Sequence, residues 1–505
     1  MTVTRHSVVV VGAGPVGMAT AILLADRGVD CLVVDRWSDV YPQPRAVHLD
    51  DEVCRILSRL GLADDFARIS RPAHGLRLVD AGRSVLAQFT RSPGAGVHGF
   101  PQANLFDQPE LEKLLRAGLA RREHCTFRGG VEVIDVANTR EGARVTMVDS
   151  VTGTRETAHA AYVLGCDGAN SVVRSSIGTG MEELGPEQRW LVVDIATDRD
   201  LGHWDGVHQV CDPQRAATFM RIGPTRYRWE FRLLPGESAR RYGDLPALYP
   251  LLAPWIQSAD PGELDVVRVA EYTFCARVAL RWRDRRIFLL GDAAHLTPPF
   301  IGQGLGAGFR DADNLAWKLA GVLRGGLSAS HLDSFEQERR PHARAMVRLA
   351  VAMGWAMTSG GHLGGAVRRR VVPLAVRIPS IGSKIIEGVT PPLAASRLVH
   401  RAPVRGGLAG SLCPNVTVGE DLRRLDDVAE GAVVVVTVVE PTAGQRAEIE
   451  RRGARVIRPA AGSDLHRWLT RGGASAAVVR PDGTVLCAAR SLAGVYTRIP
   501  VLTST

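Results

Sequence analysis

The sequence predicts an α/β protein in three parts: a parallel-sheet domain, an antiparallel sheet inserted into it, and a smaller α/β unit at the C-terminal end. Three observations predict this. Buried-strand patterns that run into a glycine turn recur at 7–11, 161–165 and 287–290, the last two with an acidic residue beside the glycine. Between the last two of these, apolar and aromatic residues alternate with polar ones in several runs. Beyond a Pro- and Gly-rich stretch at 390–415, a fresh strand and helix pattern begins.

At 505 residues the chain is long for one core, which agrees with several domains. The net charge of +9 comes from 62 Lys and Arg against 53 Asp and Glu. No basic run exceeds the short Arg368-Arg369-Arg370, so no nucleic-acid partner is expected. No apolar stretch approaches the roughly 20 residues of a spanning helix, and no membrane partner is expected. The apolar run at 8–11 is too short for a signal-peptide core and enters a glycine turn instead of a cleavage site. Eight cysteines are scattered without a Cys-x-x-Cys pair or metal-ligand spacing, which suits thiols in a reducing cytoplasm and no metal site.

The first strand, 7–11, runs into Gly12-Ala13-Gly14-Pro15-Val16-Gly17 and a helix through Ala19, Leu23, Leu24 and Arg27. A second strand, 29–34, ends on Asp35 and Arg36. Strand, glycine turn, helix and acid make a Rossmann-like dinucleotide fingerprint. Gly12 permits the tight turn, Gly14 lets backbone approach a pyrophosphate, and Gly17 allows close packing of helix on strand. Asp35 is placed to bind ribose hydroxyls.

An extended segment follows, Pro42 and Pro44-Arg45-Ala46-Val47-His48, before a helix at 50–60. Taken alone, Arg45 reads as a surface arginine. A helix starts near Gln108-Pro109-Glu110, with Pro109 at a favourable first-turn position. The strand at 161–165 ends in Cys166-Asp167-Gly168 and enters another helix. The strand at 287–290 ends on Gly291-Asp292. A Pro- and Gly-rich loop, 298–306, leads to an amphipathic helix starting near Gly306. Its first N–H groups, at Leu305 and Gly306, lie at the positive helix end and suit an anion. Residues 328–356 read as helices with a break at Pro341.

In the antiparallel region Tyr227, Trp229, Phe231 and Leu233 share one face, while Arg226, Arg228, Glu230 and Arg232 share the other. Such a sheet would cover the ring end of a bound cofactor. In the C-terminal unit, strands at 433–439 and 454–457, helices at 443–452 and 463–471, and a hairpin at 476–489 follow a thioredoxin-like order. Cys487 has no nearby partner there, so the unit suits packing or assembly.

No second fingerprint exists for a nicotinamide nucleotide, because Gly302-Gln303-Gly304 follows a Pro-rich loop and no strand. One dinucleotide is therefore expected to stay bound, and it must reach from Gly12 to 302–306. FAD fits, since reduced flavin carries its charge at the end that would meet Leu305 and Gly306.

At these residues the sequence resembles the single-component FAD-dependent aromatic hydroxylases of the para-hydroxybenzoate hydroxylase type. It is most similar to the 3-(3-hydroxyphenyl)propionate hydroxylase and polyketide hydroxylase branch. The resemblance rests on the fingerprint, Pro44-Arg45-Ala46-Val47-His48, Gln108-Pro109-Glu110-Leu111-Glu112, the Asp167-Gly168 and Gly291-Asp292 segments, Trp229-Glu230-Phe231 with Leu234-Pro235-Gly236-Glu237, and Arg339-Arg340-Pro341-His342. It implies an FAD-binding domain at 1–184 and 266–395, a substrate-binding sheet at 185–265, and a linker with the thioredoxin-like unit at 396–505. It implies FAD contacts from Gly12, Ala13, Gly14, Pro15, Val16, Gly17, Asp35, Arg36, Arg45, Gln108, Asp167, Gly291, Asp292, Pro299, Gly302, Gly304, Leu305 and Gly306. The family often has Asn or Cys where Gly306 stands, and the bare Gly306-Ala307-Gly308 run is expected to alter loop flexibility or pocket volume. Candidates for contact with the reacting groups are His48, Tyr227 and Pro299. The implied reaction uses NADH or NADPH and O2, with a flavin C4a-hydroperoxide passing one oxygen to a small aromatic substrate. Baeyer–Villiger insertion, epoxidation, oxidative decarboxylation and a non-catalytic flavin-binding role remain open alternatives at this point. A homodimer is the implied assembly.

Overall fold

The computed structural model describes residues 4–41, 46–91, 93–256, 260–358, 390–401, 407–419 and 421–500. Its frame is an eight-stranded sheet. The parallel core of that sheet orders Cys125–Arg128, Cys31–Val34, Thr4–Val11, Arg155–Gly165 and Ile287–Leu289 side by side. Val8, Val9, Val10 and Val11 are all buried, as expected of β-branched residues in a strand covered on both faces. The helix Pro15–Ala25 packs against this sheet and against a second helix, Gly304–Leu323.

A second eight-stranded sheet runs in the order His295–Leu296, Asp265–Ala279, Met181–Ala196, Arg226–Arg232, Ala217–Arg221, Val207–Val210, Gly75–Val79 and Val85–Thr90. Its last two strands come from sequence far upstream, and Val207–Val210 pairs parallel with Gly75–Val79. The sheet therefore extends beyond the alternating region at 185–265. On its outer face Tyr227, Trp229, Phe231 and Leu233 are buried with Leu248, Leu252 and Trp255 of the helix Leu245–Ile256. Each such apolar side chain adds roughly 1.5–3 kcal/mol on burial.

The helix Asp333–Thr358 runs through Pro341 without the expected break. Pro341 removes one backbone donor, but Arg339 and His342 on either side are buried and anchored within the core. The Gly-rich segment at 359–366 and Arg368-Arg369-Arg370 lie outside the described residues. The expected linker is packed in its described parts: Leu393, Leu398, Val399 and Cys413 are buried, and Leu393 N–H donates to Gly410 O at 2.8 Å.

The C-terminal unit has strand order Ala454–Ile457, Val433–Thr437, Ala476–Val479, Val485–Ala489. The first pair is parallel and the others antiparallel, which is the thioredoxin-like arrangement. Its helix Ala443–Arg451 starts from a capping box in which Thr442 and Gln445 exchange side-chain and backbone bonds. All eight cysteines are free thiols.

This unit docks on the FAD-side helices through buried charge. Lys318 Nζ, Asn314 Nδ2 and Arg480 Nη1 donate to Glu338 at 2.8, 2.8 and 3.0 Å. Arg480 also pairs with Asp482. The side chains of Lys318, Glu338 and Arg480 are 0% exposed. Nearby, Arg55 grips both oxygens of Asp426 at 2.7 and 2.6 Å, and Arg59 bridges Asp426 and Asp313. Buried pairs carry a desolvation cost, so their value shows when one partner is removed. Arg480→Met should leave Glu338 and Asp482 short of a counter-charge and cost about 3–5 kcal/mol. Denaturant unfolding of the two proteins measures this, and equal midpoints would mean that the cluster contributes no stability.

Candidate active site

The ends of the parallel strands converge on a cavity of about 1330 Å³. Gly12 sits at φ +99 under the first turn, where a Cβ would lie 2.4 Å from Cys166 O. A Cβ on Gly17 would lie 1.9 Å from Gly12 O, so this glycine is required for the helix to approach the strand. Gly14 is different: a Cβ there would meet nothing within 4 Å, and the residue lines the cavity with Pro15 and Val16. The turn thus offers bare backbone and a helix N-terminus to an open space, which is a cradle for phosphate.

Asp35 closes the turn from behind. Its Oδ2 accepts from Ala13 N–H at 2.6 Å and its Oδ1 from Trp37 N–H at 2.8 Å. Arg36 is exposed, with its guanidinium 5.7 Å from the Trp37 ring. Gln108 lines the cavity and accepts from Ala46 N–H at 2.7 Å, holding the extended segment in place. Ser171 caps the helix Val172–Ser176, and Asp167 supports the cap, accepting from Ser171 Oγ at 2.6 Å and Val173 N–H at 3.0 Å. Its neighbours Cys166, Gly168, Ala169 and Asn170 line the cavity. Arg45 lies outside the described residues.

Asp292 lines the cavity where the strand Ile287–Leu289 ends. Gly291, at φ +58, donates its N–H to Asp311 Oδ2 at 3.0 Å. Asp311 also accepts from Arg339 Nε at 2.8 Å and meets His295 Nε2 at 2.8 Å. Burial pushes the Asp311 carboxyl up, but Arg339 and His295 outweigh it and hold it below its usual range.

Pro299, Gly302, Gly304 and Leu305 line the far end, where the helix Gly304–Leu323 begins. His48 faces this loop, its Nδ1 3.4 Å from Gly302 O. Burial, reinforced by Arg91, lowers the His48 imidazole to about 4, so near neutral pH it is uncharged and its Nδ1–H serves the Gly302 carbonyl. Gly306 and Gly308 do not widen the pocket, as their bareness suggested. Both are buried inside the helix, where a Cβ would lie 2.9 Å from Arg310 Nη1 and 2.4 Å from Val16 Cγ2. Gly308 lets the helix settle against Val16 of the fingerprint helix and against Gly291, while Gly306 leaves room for the Arg310 side chain and Val53.

The structure corrects the reading of Tyr227. It lies on the outer face of the sheet, buried in the core, with its hydroxyl 3.4 Å from Arg199 O and Leu201 N. Alternation assigned it correctly to a face with Trp229 and Phe231, but that face meets the helix Leu245–Ile256 and not the cavity. Of the other expected contacts, Gly14, Pro15, Val16, Gln108, Asp292, Pro299, Gly302, Gly304 and Leu305 line the cavity directly, while Gly12, Ala13, Gly17, Asp35, Arg36, Asp167, Gly291 and Gly306 are next to or near lining residues without being among them. The face toward the cavity presents Gln209, Thr218, Arg228, Glu230 and Val192, with Trp190, Phe274, Phe300, Met346, Leu349 and Met353 as the apolar walls. Trp190 meets Phe300 edge-on at 5.9 Å.

Several of these residues were missed from sequence. Asp311 is one acid among several polar residues in a helix, and its role needs three partners from distant segments. Arg339 stood in a quoted motif, yet nothing in the spacing pointed it at Asp311. Thr390, Pro391 and Pro392, read as linker, also line the cavity.

The donor set fits FAD: an open glycine cradle at a helix N-terminus, a carboxylate at a strand end, and a second helix N-terminus at the opposite end of the same space. A cavity of about 1330 Å³ exceeds the roughly 300–1,000 Å³ of single-ligand pockets and has room for a second molecule. Among the described residues there is no group of His, Cys, Asp or Glu able to hold a metal ion, and no helix long and apolar enough to cross a membrane.

The FAD binding domain family matches residues 5–350. The chain is 35% identical over 429 residues to 3-(3-hydroxy-phenyl)propionate/3-hydroxycinnamic acid hydroxylase of Burkholderia cenocepacia (strain HI2424), covering 84% of this chain and 78% of that protein. It is 31% identical over 506 residues to the "Probable NADH-specific resorcinol 4-hydroxylase" of Rhodococcus jostii (strain RHA1), covering 96% and 92%. Aklavinone-11 hydroxylase with FAD and aklavinone matches at TM-score 0.79 and 25% identity, over 99% of this chain and 100% of that one. The flavin-dependent monooxygenase PieE, with FAD and substrate, shares the fold at TM-score 0.82 and 22% identity, over 99% and 98%. The chain thus belongs to the FAD binding domain family, within the FAD-dependent aromatic hydroxylases that use NADH or NADPH and O2.

Proposed function

We propose that this hydroxylase acts on a phenol of one to a few rings, held between the antiparallel sheet and the flavin site. One observation carries the reading: a single cavity joins the Gly14 cradle and the Gly304 helix start to the polar inner face of the sheet. The apolar walls Trp190, Phe274, Phe300 and Met353 suit an aromatic body. Arg91 also lines the cavity and forms no ion pair among the described residues, so it suits an acidic substituent. The assignment of single residues follows the same geometry. Gly14, Pro15 and Val16 would hold the pyrophosphate, Asp292 the ribityl hydroxyls, and the N–H groups at Leu305 and Gly306 the pyrimidine edge. Bound there, FAD supplies the chemistry of reduction by NADH or NADPH and of O2 activation.

The chain's own part is position, charge and exclusion of water. The helix N-terminus at Gly304 favours negative charge at the ring end. His48, neutral and tied to Gly302 O, fixes the loop that carries Pro299. The sheet and the helix Asp333–Thr358 close the substrate side, which strengthens every electrostatic contact within. We further propose that the protein works in the cytoplasm, consistent with its free thiols, and as a homodimer.

The reading is tested by anaerobic reduction with NADH and NADPH across a panel of hydroxylated aromatic acids and polycyclic phenols, then admission of air. A compound that speeds reduction and emerges one oxygen heavier, with a new ring hydroxyl, supports it. A lactone or ester product would shift the reaction class, and no product from any compound would overturn the reading.

Because the space at Gly14 is open within the protein, Gly14→Val should fold and melt like the apoprotein yet lose bound FAD by about tenfold or more. The flavin-to-protein absorbance ratio reads this. Normal FAD content would remove Gly14 from the cofactor site.

Acid should weaken the fold through buried neutral histidines. His48 and His208 are each lowered from 6.5 to about 4, mainly by burial. Above 6.5 both folded and unfolded forms are neutral and nothing changes. Between about 6.5 and 4 the unfolded chain takes up protons that the folded one refuses, so stability falls as pH falls through that window. Melting temperatures measured from neutral pH to about 4 should drop, and His208→Gln should flatten part of the slope. A pH-independent melt would contradict this.

A further inference from the structure

Five neighbouring strands bring one row of residues to the cavity. Gln209 pairs with Thr218, Thr218 with Glu230, Glu230 with Val192, and Val192 with Ala270. All five line the cavity. Thr218 Oγ1 donates to Gln209 Oε1 at 3.0 Å, and Gln209 Nε2 donates to Ala217 O at 3.0 Å. In the adjacent row Arg228 grips Asp194 through bonds of 2.7 and 2.9 Å, with both side chains 1% exposed. Arg228 and Asp194 therefore answer each other.

Glu230 is not answered in this way. It is 7% exposed, borders the cavity, and among the described residues forms no ion pair and accepts no hydrogen bond. A buried carboxylate without a bonded partner is costly, and in a native site it calls for a ligand that completes it. The charged groups that face it are Arg228 on its own strand, Asp194 on the strand Met181–Ala196 and Arg268 on the strand Asp265–Ala279. Burial dominates among these influences and holds the carboxyl above its usual range, toward the pH at which a proton acceptor works best. The other polar groups nearby are committed: Tyr272 Oη to Arg268, His48 to Gly302 O, and Tyr227 to the opposite face.

We propose that Glu230 is the catalytic acceptor for the substrate's ring hydroxyl, with Gln209 and Thr218 fixing the orientation of that hydroxyl beside it. This rests on the phenol hydroxylase reading. As a ring carbon ortho or para to the hydroxyl gains its C–O bond from O2, the phenolic O–H breaks. Its proton passes to Glu230 and its electron pair enters the ring. The O–O bond breaks, and the second oxygen atom leaves as water, on the hydride supplied by NADH or NADPH and one proton from solvent. When the new sp3 carbon sheds its hydrogen to solvent as a proton, Glu230 returns its own proton to the ring oxygen. The carboxylate is thereby regenerated and the ring is aromatic again.

The test uses the holoenzyme, Glu230→Gln and Glu230→Asp, each checked for FAD content. The first readout needs no turnover. 4-Nitrophenol is bound to the oxidised enzyme and its visible phenolate band is followed against pH. A carboxylate acceptor favours the neutral phenol and repels the phenolate. Bound nitrophenol should therefore ionise at higher pH in the wild type than in Glu230→Gln, by about tenfold or more in its ionisation constant. Identical titrations, or no binding of nitrophenol to the wild type, would overturn the proposal. In turnover with the best phenol of the panel, Glu230→Gln should lose about 10²- to 10⁴-fold in kcat. KM and anaerobic flavin reduction should be little changed, and Glu230→Asp should regain part of the loss. Wild-type kcat in Glu230→Gln would also overturn it. A wild type that oxygenates no aromatic compound sinks the hydroxylase reading alone, while the nitrophenol titration still decides whether Glu230 receives a phenol.

Discussion

The carboxylate of Asp311 is the constraint on which the rest of the site depends. It is fully buried and has three partners: the N–H of Gly291, the imidazole of His295 and the guanidinium of Arg339. These come from the turn after a strand, the short edge strand His295–Leu296 and a second helix, while Asp311 itself lies in Gly304–Leu323. The one group therefore fixes the turn that presents Asp292, the loop that precedes Pro299, and the helix whose N-terminus closes the cavity. Gly308 serves the same end by removing the side chain that would hold this helix away from Val16 and Gly291. Arg310, one residue earlier, ties the helix to Asp50 and Glu52 at 2.6 and 2.8 Å. A site that must meet a long cofactor at two ends needs both ends on a rigid element, and this helix spans them.

The opposite side of that helix carries the C-terminal unit. Asp313, Asn314 and Lys318 follow Asp311 in sequence and turn toward Arg59, Glu338 and Asp482. The helix is thus clamped by charge on two sides, toward the flavin site and toward the thioredoxin-like unit. That unit keeps the fold without a dithiol: Cys413 and Cys487 are buried, and burial pushes the Cys487 thiol up to about 11. A thiol held protonated is a poor nucleophile. Its strand order is retained because it packs. The small-domain core around Val433, Val435 and Leu486 includes Trp317 and Leu327 from the FAD side, so the two parts share apolar surface as well as ions.

Much of the fold was legible in sequence because its signals are local. The fingerprint needs only a strand, three glycines and an acid at fixed offsets, and Gly12 and Gly17 have the steric reason that spacing implied, while Gly14 borders open space. The thioredoxin-like order was legible for the same reason, one element following another with turn residues between. What was not legible depends on long-range pairing. Strands Gly75–Val79 and Val85–Thr90 are short, and only register with Val207–Val210 shows that they extend the antiparallel sheet. Asp35 and Asp167 were read as groups facing a ligand, and in the structure they also accept hydrogen bonds from Ala13, Trp37, Ser171 and Val173. An acid at a strand end can serve the ligand or the turn that holds the ligand, and spacing alone does not separate the two.

The strand Arg226–Arg232 makes the same point about direction. Its period of two divides aromatic from charged residues cleanly, but periodicity does not say which face meets a cavity. Assigning the aromatic face to a substrate assumes that an aromatic ligand seeks aromatic walls from every strand. The physics favours the other assignment for this strand. Aromatic side chains bury the most apolar area and are best spent under the helix Leu245–Ile256, where no ligand has to enter or leave. A row such as Arg228 and Glu230 would be solvated if the second face were open to water, yet both are buried. A charged face that is buried must be answered from within or by a ligand. Asp194 answers Arg228. The cavity in front of Glu230 is where the remaining answer comes from, in a row that only the register of five strands brings together.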